Sequence, residues 1–217
     1  MASIEHPGGL DHPIFSESMV RIRRRLGPTG LQGVQQEVLE RLVHSSGDLG
    51  IGPLLQFSPG ACEAAIAALR GGATILTDTA MAAAAVAPMA RRTLANPVIC
   101  VLDRAPAAAP DGSTRSAEGM EVSLAAHGRA VVLIGSAPTA LERLLTLLEC
   151  GRVTAPALVI GMPVGFVGVE ASKRHLAASG LPQIRLDGSR GGAGLAAATV
   201  NALLRRAWLD QAALGAD

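Results

Sequence analysis

Apolar residues along this chain fall into two rhythms. Five short, nearly unbroken runs stand out: Thr74-Ile75-Leu76-Thr77, Val98-Ile99-Cys100-Val101-Leu102, Val131-Val132-Leu133-Ile134, Ala157-Leu158-Val159-Ile160 and Gln183-Ile184-Arg185-Leu186. Continuous rather than alternating apolar character means that both faces of each strand are covered, which predicts a mostly parallel sheet with helices on either side. Between the runs lie segments of helical composition, at 59–70, 138–149 and 194–208, rich in Ala and Leu, and a more polar one near 170–178. Strand-helix alternation of this kind predicts a three-layer α/β/α domain with about five strands. One such domain is expected over 1–217, with an N-terminal helical arm over 1–30.

The arm contains His12-Pro13 and leads into Ser16-Glu17-Ser18, whose serines are candidate caps for the arginine-rich helix that follows. Beyond Gly27-Pro28, Val34, Val38, Leu42 and Leu39 share one stripe at helical spacing. His44 then falls in the last turn of that helix, and Ser45-Ser46-Gly47-Asp48 is a polar turn that ends it. A histidine at a helix C-terminus is also simply a favourable place for a positive charge.

Composition removes several function classes. The formal net charge is +1 over 217 residues, with acidic and basic residues interspersed, so no footprint for a nucleic-acid partner is present. Aromatic residues make up 2%, with no Tyr and the single Trp208, which leaves no stacking platform. Cys62, Cys100 and Cys150 are scattered singly, an arrangement suited to a reducing compartment. No apolar run approaches the roughly 20 residues that span a bilayer. Glu5, His6 and Asp11 near the start do not read as a secretion signal, so a cytoplasmic protein without membrane contact is expected. His6, His12, His127 and His175 show no metal-ligand spacing with Cys or carboxylates and read as surface residues, and no metal is expected.

In open parallel sheets ligands bind beyond the carboxyl ends of the strands. Those ends here carry Asp78, Asp103, Gly135-Ser136 and Asp187-Gly188. Asp103 reads as a helix cap, whereas Asp78 could be a cap or a ligand neighbour. Two turns, Gly135-Ser136-Ala137-Pro138-Thr139 and 187–194, each follow a strand and open a helix, where backbone N–H groups can bind anions. Neither has the ending of a phosphate-binding P-loop, and no G-x-G-x-x-G fingerprint follows the first strand. Tight strand-to-helix packing would also explain the glycines. Arg115 and Arg190 sharpen the functional reading, because a guanidinium binds a carboxylate through two hydrogen bonds, so a polycarboxylate ligand suits them.

Three stretches taken together resemble the precorrin-8X methylmutases: Arg41-Leu42-Val43-His44-Ser45-Ser46-Gly47-Asp48, Thr114-Arg115-Ser116-Ala117, and Gly161-Met162-Pro163-Val164-Gly165-Phe166-Val167-Gly168. Ile134-Gly135-Ser136-Ala137-Pro138-Thr139-Ala140-Leu141 and Arg190-Gly191-Gly192 are similar to that family too. The likeness runs in order from about Pro13 to about Leu204, with one departure at Ser136, where the family often has Asn.

The resemblance implies an isomerase of cobalamin biosynthesis that moves a methyl group between adjacent carbons of a tetrapyrrole, converting precorrin-8X to hydrogenobyrinate or cobalt-precorrin-8 to cobyrinate. It implies no cofactor, a homodimer, and a tetrapyrrole polycarboxylate held at the dimer interface. His44 is then the proton donor and acceptor. The substrate-binding set is Ser18, Ser45, Asp78, Thr114, Arg115, Ser116, Ser136, Thr139 and Arg190. Protonating a ring nitrogen or a neighbouring atom lowers the barrier to such a shift, and histidine titrates where it can give and recover that proton. Two other classes remain open at this stage. A non-catalytic corrinoid-binding protein would keep the carboxylate-binding turns without needing His44, and a methyltransferase would require a methyl donor.

Overall fold

A computed structural model describes residues 10–214. Fourteen regular elements follow one another as α1 (Pro13–Leu26), α2 (Gly33–Ser46), β1 (Leu55–Phe57), α3 (Ala61–Arg70), β2 (Ile75–Thr77), α4 (Ala80–Arg92), β3 (Val98–Cys100), α5 (Arg115–Ala126), β4 (Val131–Ile134), α6 (Pro138–Glu149), β5 (Leu158–Gly161), α7 (Val169–Ala178), β6 (Gln183–Leu186) and α8 (Ala193–Leu214). The six strands form one sheet in the order β1-β6-β5-β4-β2-β3. All neighbours are parallel except β1, which runs antiparallel to β6.

The two-sided burial expected of the strands is complete in β2, β4 and β5, while Val98 and Ile99 of β3 and Arg185 of β6 are only partly buried. Ile75, Val131, Leu133, Leu158 and Ile160 face a core shared with α2, α3, α4 and α8. Their chain neighbours Leu76, Val132, Ile134 and Val159 face a second core shared with α5, α6 and α7. Period-two alternation thus persists, but both sides are apolar.

Several expectations are corrected. The sheet has a sixth strand, β1, only three residues long. The run at 98–102 is strand only to Cys100, because Val101–Arg104 coils into a 3-10 turn that also contains Asp103. The arm's serines do not cap α1: the helix begins earlier, at Pro13, where His12 is the cap and its ring accepts the Ile14 N–H at 3.2 Å. Pro13 and Pro138 occupy first-turn positions, where a missing N–H is harmless. His6 and the start of the arm lie outside the described residues. Arg23 fastens α1 to α2 through a two-pronged pair with the buried Glu40 at 2.7 and 2.8 Å.

The antiparallel edge strand positions the chain before it. Leu55 pairs with Leu186 at the end of β6, and the Asp187 N–H bonds the Leu54 carbonyl at 2.9 Å. The 3-10 turn Leu49–Leu54, and with it the end of α2, is therefore brought to the carboxyl edge of the parallel strands. At that edge Asp48, just past the end of α2, pairs with Arg190 of the turn after β6.

Candidate functional site

Helix α2 ends at Gly47, which adopts the left-handed conformation (φ 69°) and returns its N–H to the Val43 carbonyl at 2.8 Å. Just inside this end, His44 is exposed and borders a cleft of about 290 Å³ lined also by Ser18, Arg21, Ile22, Arg25, Val43, Gly47 and Leu49. Ser18, half-buried on α1, thus borders the same cleft as His44. Ser45 is exposed next to it.

The imidazole stands edge-on to the Phe15 ring, with centroids 5.3 Å apart at 88°. Arg41, one turn earlier on α2, lies over the same ring at 4.8 Å. A helix C-terminus favours imidazolium. Partial desolvation, aided by the Arg41 charge, holds His44 below the ordinary histidine value. The ring is therefore mostly neutral near pH 7 in the free protein.

Asp48 links this end to the sheet. Its Oδ1 accepts the Gly50 N–H at 2.8 Å, and its Oδ2 pairs with Arg190 at 3.0 Å. The Arg190 guanidinium also donates to the Gly50 carbonyl at 3.2 Å and remains half exposed. Arg190 belongs to the turn between β6 and α8, so the His44 and Arg190 segments form one structural unit.

A second group sits on the turns after β4 and before α5. Thr114 caps α5 by accepting the Ala117 N–H, and its hydroxyl meets that of Thr139 at 2.7 Å. Arg115 donates to the carbonyls of Pro106 at 3.0 Å and Leu102 at 3.4 Å, and its side chain is exposed. Ser136 is exposed and Ser116 half-buried. The two groups are connected along the carboxyl edge. Met162 N–H bonds the Ile134 carbonyl, Val164 N–H the Gly135 carbonyl, and Gly192 N–H the Met162 carbonyl. A Cβ on Gly135 would fall 2.6 Å from Ala193 Cα.

Asp78 has a different part from the ligand contact expected of it. It lies where strand order reverses, between β2 and β4, and is fully buried. Its Oδ2 accepts three backbone N–H groups, from Gly135 at 3.0 Å, Ser136 at 2.6 Å and Ala137 at 2.8 Å. The carboxylate thus fills the switch-point crevice and braces the turn that presents Ser136 and Thr139.

Residues that sequence reasoning gave no role are Phe15, the aromatic on α1 that touches both His44 and Arg41, and Lys173, buried beneath the Arg190 turn. The three-residue spacing of Arg41 and His44 places them on one helix face and could have flagged the pair. A lone lysine within helix α7 is the corresponding signal for Lys173. Among the described residues no cluster of three or more His, Cys, Asp or Glu could hold a metal ion, and no helix is long and apolar enough to cross a membrane.

Comparison with known proteins bears on the whole chain. A family model described as precorrin-8X methylmutase matches residues 13–206. A cobalt-precorrin-8 methylmutase of Synechocystis is 38% identical over 93% of this chain and 98% of its own length. A precorrin-8X methylmutase of Pseudomonas aeruginosa is 43% identical over 88% of this chain and 93% of its own. Among solved structures, the precorrin-8x methyl mutase from Thermus thermophilus superposes with a TM-score of 0.82 at 34% identity, covering 92% of this chain and 99% of that one.

Proposed function

The chain belongs to the precorrin-8X methylmutase family, and from that premise we propose that His44 is the acid/base residue of a methyl shift on a precorrin tetrapyrrole. The protein is an isomerase of cobalamin biosynthesis. Its relatives carry both precorrin-8X and cobalt-precorrin-8 in their names, and the acid/base chemistry proposed here serves either ring.

The observation that carries the proposal is the His44 cleft, with Ser18 on its wall and Arg41 and Phe15 behind the ring. A neutral imidazole cannot donate the proton that the migration calls for. A ligand bearing several carboxylates supplies the missing term: negative charge beside the ring favours imidazolium and raises its pKa. The substrate thereby helps to load the proton onto the residue that delivers it. His44 gives the proton to the macrocycle, the methyl group moves to the adjacent carbon, and the proton returns to the imidazole.

The remaining task is to hold a flexible ring in one geometry. Arg190, Arg115 and the hydroxyls of Ser18, Ser45, Ser116, Ser136, Thr114 and Thr139 are the groups offered for its carboxylates and carbonyls. Phe166 at 95%, Val167 at 87% and Val164 at 49% exposure lie on the turn after β5, on the same edge of the sheet. A surface this apolar supports a homodimer that closes over the macrocycle, and the mass in solution tests it: a dimer is expected, and a monomer would remove that part of the proposal.

The test is to incubate the purified protein with precorrin-8X, and separately with cobalt-precorrin-8, without added cofactor. Methyl migration alters the conjugation, so conversion registers in the visible spectrum. A folded protein that leaves both spectra unchanged would refute the proposal.

A further inference from the structure

Lys173 is the only lysine of the chain, and it is 2% exposed. A buried ammonium is costly unless its protons find acceptors. Two do: Nζ donates to the Gly188 carbonyl at 2.7 Å and to the Arg190 carbonyl at 2.6 Å. Between them the Ser189 carbonyl accepts the Gly165 N–H at 3.1 Å, and beyond them the Gly192 N–H reaches the Met162 carbonyl at 2.8 Å. Three successive carbonyls of the turn from β6 to α8 thus have donors within the fold. Burial draws the ammonium down to about 8, with the carboxylates of Asp187 and Glu170 opposing, so it remains mostly charged at neutral pH. Hydrogen bonds from a charged donor are the strong kind.

Peptide geometry carries this to the surface. In a trans peptide the C=O and the following N–H point in opposite directions, and the described residues contain no cis bond. Pinning the Gly188 and Arg190 carbonyls onto Lys173 therefore turns the N–H groups of Ser189 and Gly191 away from it. The same three residues carry the half-exposed Arg190 guanidinium, which reaches Asp48 and the Gly50 carbonyl beyond His44.

We propose that Lys173 is a positioning residue for substrate binding: by holding the carbonyls of Gly188 and Arg190 it aims two backbone N–H groups and the Arg190 guanidinium at one carboxylate of the tetrapyrrole. The inference rests on the polycarboxylate-isomerase reading above. Lys173 touches no reacting atom and acts through the turn.

The test compares native protein with Lys173→Met, Lys173→Arg, Arg190→Gln and the Met/Gln double variant. Steady-state conversion of precorrin-8X is measured alongside hydrogen exchange in the 187–192 segment. Loss of one charge-assisted contact predicts a KM raised about tenfold in Lys173→Met, with kcat little changed and Lys173→Arg largely restored. The double variant should be no worse than the poorer single variant, because both changes remove the same contact. Exchange in 187–192 should rise in Lys173→Met. Independent KM effects that multiply, a loss confined to kcat, or unchanged exchange would each overturn the proposal. Failure of the native protein to convert substrate would instead refute the isomerase reading, leaving the exchange result to decide whether Lys173 holds the turn. Should Lys173→Met not fold, Lys173→Gln, which keeps N–H donors but no charge, replaces it, with the same direction of effect and a smaller magnitude.

Discussion

Replacing Asp78 with alanine removes the single oxygen from which the turn after β4 hangs. The side chain is fully buried, and its Oδ2 takes the N–H groups of Gly135, Ser136 and Ala137 at 3.0, 2.6 and 2.8 Å. Gly135 is buried, so its orphaned N–H costs about 2 kcal/mol, whereas those of the more accessible Ser136 and Ala137 can recover part of their hydration and cost about 1 kcal/mol each. The sum, about 4 kcal/mol, is a large share of the stability of an ordinary domain. For a chain of this length it corresponds to a melting temperature lower by about 8–16 °C. Asp78→Asn keeps an acceptor of the same shape but exchanges charge-assisted bonds for neutral ones, and about half the loss is expected. Denaturant unfolding of both variants, followed by circular dichroism, measures the effect. An Asp78→Ala protein within about 1 kcal/mol of native would refute the assignment of Asp78 as the brace of this turn. Turnover at a temperature where the variant is folded should also fall, because Ser136 and Thr139 lose their support.

Other consequences are equally direct. Titration of His44 by NMR should give a midpoint below the ordinary 6.5 in the free protein, and Arg41→Gln should move it upward by removing the neighbouring charge; a native midpoint above 6.5 would contradict the desolvated setting. Gly191→Ala would place a Cβ 2.0 Å from the Met162 carbonyl oxygen, backbone against backbone, and should cost about 3 kcal/mol in unfolding experiments and weaken substrate binding through Arg190. His175 bridges α6 and α7, its ring nitrogens 2.7 Å from Glu142 and 2.8 Å from Glu149, and hydrogen bonding to Glu149 and then Glu142 raises its pKa. A raised value means that the bridge stabilises fully below the unfolded pKa near 6.5 and is lost as pH climbs through the folded one. In this partly exposed setting the effect is about 1 kcal/mol or less, seen as a native advantage over His175→Gln at low pH that disappears at high pH.

The parts of the fold that were legible in the sequence are those whose burial is two-sided and continuous. The runs at 131–134 and 157–160 are legible as strands because each packs consecutive buried apolar residues into so short a length. Strand β1 was not legible: Leu55-Gln56-Phe57 is too short to show a period and follows Pro53. Helix α4 was obscured for a different reason. It buries only Ala82, Val86 and Ala90, small residues on a background of alanine, and contains Pro88. Within the candidate site, His44 came with the motif at 41–48 and Ser18 only with the family resemblance, and the two border one cleft. Asp78 was ambiguous between cap and ligand contact because both uses place an acidic residue at a strand end, and only its burial separates them. The part of Lys173 depends on the path of the turn after β6, which is closed by contacts with residues 162 and 165 of the turn between β5 and α7, and no local pattern encodes that path.

The most direct measurement of the central claim is the visible spectrum of precorrin-8X mixed with native protein and, side by side, with His44→Ala at a concentration that saturates binding. Rapid conversion by the native protein is expected, with bound but unconverted substrate in the variant. Conversion by His44→Ala at the native rate would contradict that claim.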